Sequence, residues 1–285
     1  MRYSIDTENP QEDGSYPVRR RGRFKILPIV LFALFALFYV FSNTQTVPMT
    51  GRKQIVDMSR EDEMALGLQS YAAVLQQAEV VRSGAEVDLV RSVGARIAKV
   101  TETTDFEWEF NLLQSPDVNA FCLPGGKVAV YTGILPVAEN ADGVAVIMGH
   151  EIAHAIARHG AERMAQQRLV QIGQLAVGVA AGEMDDGARR AVLGAFGAGA
   201  QFGVLLPFSR EHESEADYMG LVFMARACFD PREAPAFWRR MASRAGSGQA
   251  VEFMSTHPSS EKRIEMLEQW MEEALKVRAG SCAAG

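Results

Sequence analysis

His150 and His154 stand four residues apart, with Glu151 directly after the first, in the stretch GHEIAHAIARH at 149–159. Residues four apart share one face of an α-helix about one turn apart, so both imidazoles can converge on one point. Imidazole pairs at this spacing hold zinc, and the adjacent glutamate is where a zinc hydrolase keeps its general base. A purely structural role for the pair fits poorly. Glu151 and Arg158 share a segment otherwise made of Val, Ile, Met and Ala, and an unpaired carboxylate is costly to bury.

One more protein ligand is needed if a position is to stay open for water. On a continuous helix His159 is rotated by about 140° from His154 and about 180° from His150. It is therefore expected to face away from the metal and to serve as a packing or polar contact. The longer HExxHxxGxxH pattern is absent, since position 157 is Ala and position 160 is Gly. The acidic stretch SREHESEADYMG at 209–220 offers Glu211, His212, Glu213 and Glu215, with Asp217 one turn beyond Glu213. A carboxylate ligand supported by a second carboxylate that orients an imidazole is a recurrent zinc arrangement. Spacing alone does not choose among these candidates.

Such side chains need helices and a sheet to hold them. Residues 58–78 and 86–100 carry apolar side chains at helical spacing, Leu66, Tyr71 and Val74 in one, Val87, Val90 and Ile97 in the other. Both read as amphipathic helices on a shared core. FEWEFNL (106–112) alternates as a half-buried strand does, and Pro124–Gly126 is a hairpin signal between extended 119–123 and KVAVY (127–131). Asp142 can cap the helix of the HEIAH motif. Residues 209–229 form a helix broken at Asp230–Pro231, 232–243 form another, 244–249 a Gly/Ser loop, and Pro258 opens a last helix to about Val277. The fold class is mainly α with a small antiparallel β-sheet (α+β), the sheet feeding into the helix of His150 and His154.

The start of the chain has a different character. Residues 1–25 are polar and end in Arg19, Arg20, Arg21, Arg23 and Lys25, a disordered basic tail. Ile26–Phe41 is an unbroken apolar run, and the uncharged Ser42–Val47 lets a helix reach the far interface, so 26–47 is expected to be a single transmembrane anchor. The alternative is a cleaved signal peptide with a secreted product, but no A-x-A-like site follows the run. The basic cluster should stay cytoplasmic, leaving everything after residue 45 outside; in a bacterial inner-membrane protein that side is the periplasm. Residues 48–277 then form the main domain and 278–285 a loose tail. The apolar segments 169–182 and 191–208 are expected to be buried or membrane-grazing helices, since the first is too short to span. A net charge of −6, with no basic face beyond residue 25, excludes a nucleic-acid partner. Cys122, Cys228 and Cys282 are scattered and form no CxxC pair, and no disulfide is expected.

Taken together, VPMTGRKQ (47–54), NAFCLPGGKVAVYTGIL (119–135), GHEIAHAIARHGAER (149–163), SREHESEADYMG and FMSTHPSSEKRIEML (253–267) make the chain resemble metallopeptidase family forty-eight. These are the gluzincins of the HtpX, BepA and CAAX prenyl endopeptidase type, and the likeness runs closest to the single-domain Oma-like envelope members. The resemblance implies a zincin-type domain holding one Zn²⁺ per chain through His150, His154 and Glu213, with Asp217 as the supporting carboxylate. It implies Glu151 as general base, and His257 with Arg263 at the oxyanion; in BepA-like members that histidine can instead reach the zinc and block it. It also implies an edge strand, Asn119, Ala120 and Phe121, that binds substrate backbone. The function implied is cleavage of unfolded or misassembled envelope proteins. The alternative is a membrane-tethered chaperone or assembly factor with latent, gated protease activity.

Overall fold

The computed structural model describes residues 23–246, 252–257 and 261–283. The basic tail lies outside them up to residue 22, as do 247–249 of the expected Gly/Ser loop and Pro258. In chain order the elements are α1 (Leu27–Ser42), β1 (Thr44–Thr46), β2 (Lys53–Ile55), α2 (Arg60–Gln77), β3 (Val80–Val81), α3 (Ala85–Val100), β4 (Glu109–Leu113), β5 (Ala120–Leu123) and β6 (Lys127–Tyr131). There follow α4 (Leu135–Ala138), α5 (Ala141–Ile156), α6 (His159–Ala180), α7 (Asp186–Ala200), α8 (Leu206–Arg226), α9 (Glu233–Gly246), α10 (Glu252–Thr256), α11 (Glu261–Gln269) and α12 (Met271–Cys282).

The chain is mainly helical with a small sheet, in the order β3-β4-β6-β5. Its outer pairs are antiparallel, while β4 and β6 run parallel, Glu109 opposite Lys127 through Leu113 opposite Tyr131. Successive strand residues point to opposite faces. Leu112, Ala120, Val128 and Val130 enter the main core with the apolar sides of α3 and α5. Leu113 and Ala129 face the other way, onto Tyr71 of α2, whose hydroxyl donates to the Val128 carbonyl at 2.9 Å. The β5–β6 turn uses Gly125 and Gly126 at φ of +87° and +84°, the left-handed region that glycine enters without penalty.

Where α5 crosses α8, two glycines let the backbones touch. A Cβ on Gly220 would lie 2.8 Å from the His150 nitrogen, and one on Gly149 would lie 2.9 Å from the Gly220 carbonyl oxygen. The cap of α5 differs from expectation: Asn140 accepts from the Gly143 N–H at 3.0 Å, while Asp142 accepts from the Asp230 N–H at 2.8 Å, pinning the break after α8.

Several expectations are corrected. The helix of the apolar run stops at Ser42 rather than reaching Val47, because Thr44–Thr46 pair with Lys53–Ile55 in a two-stranded hairpin. Of the two alternatives for 169–182 and 191–208, burial fails for most of both segments, although Gly173, Val177, Ala180, Ala181 and Ala200 are buried, and the membrane-grazing alternative stays open. The segments belong to α6 and to a continuous helix, Asp186–Arg226, formed by α7, a π-helical turn (Gln201–Leu205) and α8; of its most apolar 18 residues only 6% are buried. Lys25 pairs with Glu183 at one end of α1, and Asp57 with Arg168 at the other, so α1 lies antiparallel to α6. The last helix is two, α11 and α12, and its end is not loose. It runs to Cys282, which forms a disulfide with Cys228 across 54 residues of sequence.

Candidate metal centre

Three separate parts of the fold deliver to one point the side chains that could hold a metal ion. His150 and His154 come from α5, Glu213 from α8, and His257 from the residue that follows α10. His257 is held there by its own N–H donating to the Phe253 carbonyl at 2.8 Å and by the Phe253 ring stacked at 4.6 Å. The Phe253 N–H in turn donates to the Val118 carbonyl, fastening α10 beside the start of β5.

The four donor atoms lie within 4.8 Å of one another. His150 Nε2 is 3.1 Å from His154 Nε2 and 3.4 Å from Glu213 Oε2; His154 Nε2 is 3.5 Å from Glu213 Oε1. His257 Nδ1 is 3.2 Å from His150 Nε2 and 3.0 Å from both Glu213 oxygens. A tetrahedron with edges of about 3.3 Å has its centre about 2.0 Å from each corner, the length of a metal–imidazole bond. The donor set, two or three imidazoles and a carboxylate, therefore fits a divalent metal ion in number, chemistry and spacing.

The groups behind the donors are also in place. Asp217 Oδ1 lies 3.1 Å from His150 Nδ1, the nitrogen turned away from the other donors. Arg263 donates through Nε and Nη2 to the two Asp217 oxygens, each at 2.7 Å, its guanidinium 3.8 Å over the Trp238 ring. Burial alone would raise the Asp217 carboxyl, but Arg263 and His150 outweigh it and hold it below its ordinary value. Burial alone would lower the His150 imidazole, but Asp217 and Glu213 push it up to about 9. Glu213 is likewise held low: His150, His154 and His257 overcome the cost of its burial.

Glu151 differs from these carboxylates. It is buried, its Oε1 has no hydrogen-bond partner among the described residues, and the nearest basic group is His257 Nε2 at 3.5 Å. Burial raises its carboxyl above the ordinary value. A carboxylate in that condition is suited to taking up a proton and giving it back.

Arg263 holds Asp217 through Nε and Nη2, and its Nη1 sits 3.1 Å from Glu213 Oε2 and donates to the His257 carbonyl at 3.4 Å, so it lies beside His257 as expected. The planar fork of a guanidinium matches a carboxylate edge, which is how Arg263 meets Asp217. His159 lies outside the four donors, although the helix expected to turn it away is not continuous. Its ring nevertheless comes back to touch His154, because α5 ends at Ile156 and Arg158 turns the chain at φ +60° before α6. Of the other acidic-stretch candidates, Glu211 is exposed, His212 contacts Glu162, and Glu215 contacts His159. Ala120 and Phe121 lie on β5, an outer strand paired only with β6 among the described residues, and Asn119 directly precedes it. The Phe121 ring packs between Tyr71 and Tyr131, which leaves its backbone as the part able to meet a ligand. Residue-by-residue reasoning overlooked Arg52 and Glu162; the one signal for Arg52 was its place in VPMTGRKQ.

Comparison with known proteins agrees with this geometry. The chain is 40% identical over 270 residues to the mitochondrial metalloendopeptidase OMA1 of Schizosaccharomyces pombe, covering 93% of this chain and 77% of that protein. It is 31% identical to the corresponding protein of Saccharomyces cerevisiae, over 87% of this chain and 74% of the relative. It is 26% identical to the beta-barrel assembly-enhancing protease of Escherichia coli, over 78% of this chain but 46% of that protein. The sequence profile of peptidase family M48 matches residues 85–271, which include all four donors and Glu151, and the chain belongs to that family.

Proposed function

We propose that this metallopeptidase is a membrane-anchored, zinc-dependent endopeptidase that cuts unfolded or extended segments of envelope proteins. The observation that carries this is the meeting of His150, His154 and Glu213 beside a buried Glu151 whose Oε1 has no hydrogen-bond partner among the described residues. A zinc ion held by those three residues would supply Lewis acidity, acidifying water and polarising the scissile carbonyl. Glu151 takes the proton of the attacking water and returns it to the leaving amine. Asp217 and Arg263 keep His150 and Glu213 in register. A substrate strand lies along Asn119–Phe121, at the start of β5, and bonds through its main chain, a mode that selects extended chain over sequence.

The seat in the membrane is argued from apolar surface. Leu31, Leu34 and Phe38 of α1, Leu175 and Val179 of α6, and Phe202 beyond α7 are all exposed. Helix α1 alone is about 24 Å long, short of a hydrocarbon core of about 30 Å. Its packing with α6 and α7, where Phe32 and Phe196 close over Gly173, supports three apolar helices sharing the bilayer. The Cys228–Cys282 disulfide suits an oxidising compartment, which supports a catalytic domain on the periplasmic side.

Glu151→Gln should bind metal as the wild type does and lose cleavage of unfolded casein by about 10²-fold or more. Metal analysis and a cleavage assay on one purified pair check this, and cleavage retained by the variant would overturn the reading.

The position of His257 favours a second reading, a gated enzyme. Its Nδ1 stands among the metal ligands, where water must enter for catalysis. If it is a gate, His257→Ala should cleave casein faster than the wild type. If it only assists, the variant should lose activity as Glu151→Gln does.

A further inference from the structure

The hairpin segment Val47–Gln54 takes no part in the chemistry above, yet it reaches the metal centre through a buried line of charged groups. Arg52 donates from Nε to Glu215 Oε2 at 2.8 Å, and from its two terminal nitrogens to Glu162 at 3.1 and 2.8 Å. The Thr50 hydroxyl donates to the other Glu215 oxygen. His159 Nε2 lies 2.9 Å from Glu215 Oε2, and His159 Nδ1 lies 2.8 Å from Nδ1 of His154. On the far side His212 shares Glu162 at 2.8 Å and stacks on His159 at 4.3 Å. His159, Glu162, His212 and Glu215 are all buried.

The sense of these bonds follows from the carboxylate. Glu215, paired with a guanidinium that is always charged, can only accept. His159 therefore donates Nε2–H to it, which leaves Nδ1 as an acceptor. His154 fills that acceptor with its own Nδ1–H, so the proton-free nitrogen of His154 is Nε2, the one turned towards His150 and Glu213. We infer that Arg52, Glu215 and His159 are positioning residues that fix the tautomer and ring plane of the ligand His154, as Asp217 does for His150. The inference rests on the metal-centre reading. It extends the centre to the hairpin that begins beside α1, where the Val56 N–H donates to the Asn43 carbonyl at 2.9 Å.

The test uses the full chain in detergent, with Co²⁺ as the probe. Affinity is read by chelator competition, ligand geometry by the visible d–d spectrum, and turnover by the kcat and KM of casein cleavage. Glu215→Gln, which keeps shape and removes charge, should bind Co²⁺ about 10–100-fold more weakly, with a changed spectrum and a lower kcat at unchanged KM. Arg52→Ala should do the same. Arg52→Lys should recover part of the loss, since a point charge can hold Glu215 but cannot span both carboxylates. If Arg52→Ala does not fold, Glu215→Gln and Arg52→Lys decide. A wild type that takes up no Co²⁺ would overturn the metal centre and this inference with it. A folded Glu215→Gln with wild-type affinity and spectrum would overturn the positioning role alone and leave the network as internal packing.

Discussion

At the residue scale, the site is organised by which nitrogen of each histidine faces inward. His150 turns Nδ1 to Asp217 and His154 turns Nδ1 to His159, so both present Nε2 to the same point. Without metal, Asp217 and Glu213 push the His150 imidazole up to about 9, so a metal ion has to displace a proton there. Protons become scarcer as pH rises, so apparent metal affinity should climb with pH, by up to about tenfold per unit from about pH 6 to 8. Chelator competition across that range checks the slope, and a flat profile would remove His150 from the ligand set. Much of this was legible in sequence: the HEIAH spacing gave two donors and a base on one helix face. The spacing of the acidic stretch gave four plausible partners and only the family resemblance chose Glu213, because the choice depends on how α8 rotates against α5. The contact of His159 with His154 was illegible for a related reason. A continuous helix turns the two apart, and only the corner at Arg158 brings them together.

At the element scale, the site depends on how closely α5 and α8 approach. The Gly149–Gly220 crossing sets that approach, and it puts Glu213 and Asp217 opposite the two histidines. A methyl on Gly220 would meet the His150 nitrogen at 2.8 Å, where only backbone movement gives room. Gly220→Ala should therefore destabilise the fold by about 1–3 kcal/mol and weaken metal binding along with it. Thermal unfolding followed by metal titration reads both effects, and an unchanged melting temperature would mean the helices can part without cost. Periodicity located α2, α3 and β4, and the Pro124–Gly126 turn signal located β5 and β6, the latter buried on both faces. Periodicity failed where no core enforces a pattern. The run from Asp186 to Arg226 is one helix whose first half is apolar and exposed, and the disulfide joins residues that only the packing of α12 on α8 brings together.

At the scale of the whole molecule, the chain joins an apolar helical seat to a buried, charged reaction centre, and the two share elements. The helix that begins as α7 in the apolar group ends as α8 with Glu213 and Asp217, and the hairpin after α1 ends in Arg52. Donor side chains drawn from α5, α8 and the residue after α10 come together only when all of these are docked. The most direct measurement is the metal content per full-length chain of wild type, Glu151→Gln and Glu213→Ala, purified and dialysed side by side. Wild type and Glu151→Gln should each hold about one zinc per chain, and Glu213→Ala should hold far less. Full zinc occupancy in Glu213→Ala would contradict the account, because the carboxylate that α8 brings to the two histidines would then not be a ligand.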